Sequence, residues 1–144
     1  MALGNIFDIA GSAMTAQSVR LNTTASNLAN AQTASSSVDQ VYRARHPVFK
    51  AIYNKEMDLD ASRINADSEA GVRVMGIVES DAPLQQRYEP NHPESNEEGY
   101  VYYPNVNVVE EMTDMMSASR SFQVNVEVMN AAKQMVQRVL TLGQ

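Results

Sequence analysis

The sequence predicts a mainly α-helical chain with a small β-rich middle: one long helix at each end and short strands inserted between them. Three observations carry this. The stretch from Asn107 to Leu142 has neither proline nor glycine and repeats its apolar residues at helical spacing. The stretch from Asn5 to about Asn30 shares that period. Between them, β-branched and aromatic clusters are punctuated by Pro47, Gly71, Pro83 and Pro104, the pattern of short strands and turns.

In the N-terminal segment, Phe7, Met14, Leu21 and Leu28 recur every seven residues, flanked by Leu3, Ala10 and Ala25. Asn5 and Asp8 form a cap-like pair that would start the helix. Gly11, Ala13, Ala16, Ala25 and Ala29 would let a neighbouring helix approach closely, and Asn22, Asn27 and Asn30 offer lateral hydrogen bonds. The polar run from Gln32 to Gln40 carries no packing signal and is expected to be a flexible connector.

In the middle, Val41 to Arg45, Val48 to Tyr53, Val72 to Val78 and Tyr100 to Tyr103 are expected as strands. Asn54 to Gly71 is charged and nearly featureless. Pro90 to Asn96 is a turn cluster.

The C-terminal helix is the dominant element. Asn107 followed by Glu110 is a capping-box-like start, Glu110, Glu111 and Asp114 sit at the positive end of the helix dipole, and Lys133 and Arg138 lie toward the other end. Its length would be about 50 Å. Val108, Met115, Phe122, Met129 and Val136 repeat every seven residues, with Met112, Val126 and Leu140 nearby. Val124, Val128, Met135, Val139 and Leu142 form a second stripe roughly 120° around the helix. Two apolar faces call for two neighbours, although a simple helical-bundle core would use both as well.

Composition bounds the function. The chain has 144 residues, enough for one domain or one domain with a modest insertion. Nine methionines and no tryptophan make its apolar surface soft and adaptable. The net charge is −6, and between positions 41 and 105 seven basic residues face eleven acids, which argues against nucleic acid. Absence of cysteine removes disulfides, thiol catalysis and the commoner zinc sites. No run approaches the ~20 apolar residues of a membrane span. The first residues lack a basic n-region and are interrupted by Asn5 and Asp8, so a cleaved signal peptide is not expected.

No catalytic, cofactor-binding or metal constellation stands out. His46 and His92 each precede proline and are far apart, without metal-pair spacing. Asp58 and Asp60 lack the further oxygen ligands a cation needs. Glu110 and Glu111 are explained by their place in the first turn of a helix. There is no phosphate loop or nucleophile elbow, and the expectation is an assembly component rather than an enzyme.

At Ser26, Asn27, Leu28, Ala29 and Asn30, after Ala16-Gln17 and Arg20-Leu21-Asn22, the sequence resembles the N-terminal signature of the bacterial flagellar axial proteins, the rod and hook family. Tyr42-Arg43-Ala44, Tyr88-Glu89-Pro90, Gly99-Tyr100-Val101 and Pro104-Asn105-Val106-Asn107 resemble a basal-body rod member in particular. So does the C-terminal run with Glu111 and Arg120.

The resemblance implies a subunit of the proximal rod, exported from the cytoplasm by the flagellar type III apparatus and built into a shaft crossing the periplasm. It implies terminal helices, residues 1–31 and 105–144, paired as an antiparallel coiled coil, with residues 32–104 facing outward. Phe7, Met14, Leu21 and Leu28 would then meet Met115, Phe122, Val126, Met129, Val136 and Leu140 within the chain. Val124, Val128, Met135, Val139 and Leu142 would meet other copies or other rod proteins, and the isolated monomer would hold its terminal helices poorly ordered. The competing class is a cytoplasmic helical adaptor or chaperone that binds a client through the same stripes.

Overall fold

A computed structural model describes residues 2–52 and 71–142. The expected acidic run from Asn54 and its Asp58–Asp60 pair lie outside the described residues, apart from Gly71. The element order is α1 (Ala2–Asn30), β1 (Arg45–Ile52), β2 (Gly71–Glu79), β3 (Gln85–Tyr88), β4 (Tyr100–Tyr103) and α2 (Val108–Leu142). Two long helices thus flank, in chain order, a small strand-containing middle, and α1 packs against α2, β1 and β2.

The start of α2 agrees with its sequence signal. The Asn107 side-chain oxygen accepts from the Val109 amide at 3.2 Å, and the Asn107 carbonyl accepts the first helical bond, from Glu111 N at 3.0 Å. The start of α1 does not. The helix is already formed at Ala2, so Asn5 and Asp8 are inside it and no acid occupies its first turn. Packing against α2 and the strands, not a local cap, holds this end.

β1 and β2 form an antiparallel ribbon, with Arg45 opposite Glu79 and Ile52 opposite Gly71; its register shifts between Val48 and Phe49. Ser12 of α1 anchors the ribbon by accepting the Val72 amide at 3.2 Å. Gly71 makes this close approach possible, since a Cβ there would sit 2.5 Å from Ser12 Oγ. β3 and β4 form a second antiparallel pair, Gln85 opposite Tyr103. Sequence patterning missed β3 because Gln85-Gln86-Arg87-Tyr88 is exposed throughout and has no apolar alternation.

Two expectations change. Val41–Ala44 is not a strand: Ala44 N donates to Asn105 Oδ1 and Arg45 N to Asn27 Oδ1, so side chains take the bonds that a ladder would have used. The serine-rich connector is also pinned. Ser35 and Tyr102 exchange both backbone hydrogen bonds at 3.0 Å, which ties the connector to the outer edge of β4.

The 90–99 turn depends on Gly99. Asn96 Oδ1 accepts from the Glu98 and Tyr100 amides, Gly99 N donates to Asn96 O, and Gly99 adopts φ +82°. A Cβ at Gly99 would lie 2.9 Å from Tyr88 Cε2, in the ring that packs edge-on against Tyr100. Gly99→Ala should therefore lower stability by about 1–2 kcal/mol from backbone strain, and more from the clash. Urea denaturation of the purified variant measures it.

The apolar core is small. Among the described residues its buried members are Ala10, Ala16, Val41, Ala44, Val101, Val106, Ala118 and Ala132, mostly alanines and valines. The alanines on α1 and α2 allow close helix approach, but they bury little area. Much of the specificity must come from polar groups.

Candidate assembly surface and the polar joint beneath it

The polar centre is Asn27, whose accessible surface is 0%. Its Nδ2 donates to Arg45 O at 2.8 Å and to Glu111 Oε1 at 3.0 Å; its Oδ1 accepts from Tyr42 OH at 2.8 Å and Arg45 N at 2.9 Å. An amide side chain has two donors and two acceptor lone pairs, and all four are used. One residue of α1 thereby fixes β1, the segment before it and α2.

Asn105 repeats the device. Its Oδ1 accepts from Ala44 N at 2.8 Å, and its Nδ2 donates to Ser80 O at 3.1 Å and Ala82 O at 2.9 Å. Pro104 beside it is buried. Ser80 N donates to Ala44 O at 2.8 Å, extending the β1–β2 ribbon by one step, and Asn105, just past β4, ties both of its ends to the second strand pair. Arg45 stacks over the Tyr42 ring and pairs with Glu79 at 3.0 Å. That pair is half exposed, so it contributes at most about 1 kcal/mol.

Glu111 is 4% exposed, which its first-turn position alone does not explain. Burial pushes its carboxyl above the ordinary value of 4.5; the Asn27 bond and the charge of His46 oppose this, and Asp114 and Glu110 add to it. Burial also pushes the Tyr42 hydroxyl up, with Arg45 opposing and Glu111 and Glu79 reinforcing. One turn on, Asp114 accepts from Arg20 at 2.6 Å.

The remaining motif residues have local roles. Ser26 Oγ donates to Asn22 O and Asn30 Nδ2 to Ser26 O, both within α1. Leu28 is half-buried, while Ala29 and Arg120 are exposed. His46 is exposed, and His92 Nδ1 accepts the Glu94 amide in the turn.

Of the residues assigned to the intrachain seam, Phe7, Met14, Leu21, Leu28, Met115, Phe122, Val126, Met129 and Val136 are half-buried. Leu140 is a correction: it is 67% exposed. The Asn27–Glu111 and Arg20–Asp114 contacts occur in opposite order along the two helices. At equal rise per residue, stepping 25 positions back from Asn27 reaches Ala2, and 25 positions on from Glu111 reaches Val136. Leu140 lies beyond the reach of α1.

Val124, Val128, Met135, Val139 and Leu142 are all exposed, Val139 at 62%. Val109, Met112 and Met116 are exposed as well. Their i, i+3, i+7 spacing places them on the other flank of α2, so Met112, expected on the packed stripe, lies off it. Lone exposed apolar residues are ordinary, whereas aligned rows along a 35-residue helix mark interaction surface. In dilute monomer, backbone amides near the joint (108–120) should exchange with solvent more slowly than those of 124–142. Hydrogen exchange by mass spectrometry would show the gradient.

This arrangement defines a structural protein of the assembling kind: a hydrogen-bonded polar joint that holds long helices carrying exposed apolar rows. A family model described as "Flagella basal body rod protein" matches residues 7–34, and one described as "Flagellar basal body rod FlgEFG protein C-terminal" matches residues 97–142. Proteins named flagellar basal-body rod protein FlgC from Escherichia coli and Salmonella typhimurium are each 51% identical over 147 and 144 aligned residues, covering 100% of both partners. One of the same name from Borreliella burgdorferi is 34% identical over 151, covering 100% of this chain and 99% of that one. The chain belongs to the FlgC family of flagellar basal-body rod proteins.

Proposed function

We propose that the chain is a structural subunit of the proximal rod of the bacterial flagellar basal body, not an enzyme. Its terminal helices, residues 1–31 and 105–144, form one unit, and residues 32–104 form a second that faces outward. The helices pair as an antiparallel coiled coil, a reading supported by the reversed order of the Asn27–Glu111 and Arg20–Asp114 contacts. Polymerised with other copies and other rod proteins, they build a tube that transmits torque and encloses the export channel. The flagellar type III apparatus delivers the subunits to the periplasm.

The observation that carries this is the exposed row Val124, Val128, Met135 and Val139, which no described residue of the same chain covers. Such a row, used against a different patch on the next copy, gives a heterologous contact. Repeated by a screw operation, that contact extends into a filament rather than closing a dimer. None of the helices among the described residues is long and apolar enough to cross a membrane. The test is fractionation of cells expressing a tagged chain. Co-purification with detergent-extracted basal bodies supports the rod, whereas a pool confined to cytosol bound to a client would establish the adaptor reading instead.

A further inference from the structure

Glu111 is an expensive choice for the place it occupies. Its side chain is almost fully enclosed where α1, β1 and α2 meet, and among the described residues Asn27 Nδ2 is the one hydrogen-bond donor to its carboxylate. That donor is shared with Arg45 O. The charged groups around it give little net help. From α2, Glu110 and Asp114 are both acids. From α1, Arg20 is engaged by Asp114. From β1, His46 is the one favourable charge acting on it, and Arg45 is directed to Glu79 and the Tyr42 ring. The N-terminal end of the α2 dipole also favours an anion at this first-turn position, without supplying the carboxylate a further hydrogen-bond donor.

We infer that Glu111 makes this junction a proton-sensitive joint, one that holds the helices and β1 together in either charge state and holds them more firmly when its carboxyl is protonated. A protonated carboxyl still offers Oε1 to Asn27, so no bond of the joint is lost on protonation, while the cost of enclosing a charge disappears. The direction follows from linkage. The fold raises the Glu111 value above 4.5, so the folded chain takes up this proton before the unfolded chain does. The gain is complete below the unfolded value and fades as pH rises through the folded one. Mild acid therefore tightens the joint, opposite to the usual behaviour of a paired carboxylate. The inference concerns the single chain and does not depend on the rod assignment.

The test is a pair of measurements on the full chain. Near-UV circular dichroism melts report on tyrosines, since the chain has no tryptophan, and Tyr42 sits in the joint. Glu111→Gln keeps the acceptor for Asn27 and removes the charge. Its melting midpoint should lie several degrees above wild type at pH 7, and the difference should close as pH falls toward 4.5. Midpoints that stay parallel across this range would overturn the inference. Because the variant could misfold, the wild-type Glu111 carboxyl carbon is also followed by NMR through a pH titration. A midpoint above 4.5 supports the joint, and one at or below 4.5 refutes it whatever the variant does.

Discussion

Asn27→Ala should be the most damaging single substitution in the chain, costing about 3–5 kcal/mol, an amount comparable with much of the stability of a small domain. The volume lost is minor. What matters is what remains: Arg45 N, Arg45 O, Tyr42 OH and the Glu111 carboxylate each lose a partner, around a side chain that itself has no accessible surface. Each orphaned neutral group costs roughly 1–3 kcal/mol and a charged one more, offset where relaxation admits a water. Asn27→Asp separates this account from simple loss of packing. It keeps an acceptor for Tyr42 and Arg45 N but sets a second carboxylate against Glu111, so its defect should be large at pH 7 and shrink on acidification. Urea denaturation of the three proteins at pH 5 and pH 7 decides it: equal defects for the Asp variant at both pH values would mean that charge at the joint is not the issue.

Little of this joint was legible as physics in the sequence. The helices were, because apolar repeats such as Phe7, Met14, Leu21 and Leu28 need only local order to be read, and Asn107 announces the start of α2 by its own side chain. Asn27 meets Glu111 across 84 positions and Ala44 meets Asn105 across 61, and no periodicity encodes such pairs. Asn27 reads from its own chemistry only as a lateral hydrogen-bonder of unspecified partner, and Ala44 and Asn105 stand out only as parts of a family-like motif. Glu111 was hidden by a sufficient local explanation, the helix dipole, which predicts an acid there whether it is exposed or enclosed. Val41 to Ala44 has a strand's composition without a strand's ladder, because composition reports side-chain shape and not where the backbone bonds go. Leu140 followed the heptad faithfully; what failed was the assumption that the partner helix extends that far.

Val128→Asp should leave the monomer folded and abolish motility. In the single chain Val128 is exposed, so an aspartate there is solvated and should change stability by no more than about 0.5 kcal/mol. In a rod built through this face, the same carboxylate would be buried against an apolar neighbour with no cation opposite it. That penalty is several kcal/mol at each contact, and every 1.4 kcal/mol is tenfold in affinity. The penalty recurs in every copy, so incorporation should fail outright. Val128→Ala, which removes methyl groups without adding charge, should weaken assembly only partly, and Gln134→Asp, on the polar arc roughly 120° around the helix from Val128, should spare it. Soft-agar spreading and the subunit content of purified basal bodies are the readouts, with circular dichroism of each purified variant confirming its fold. A motile Val128→Asp strain with normal basal-body content would show that this stripe faces no neighbour. The exposed row Val109, Met112 and Met116 would then be the surface to test next.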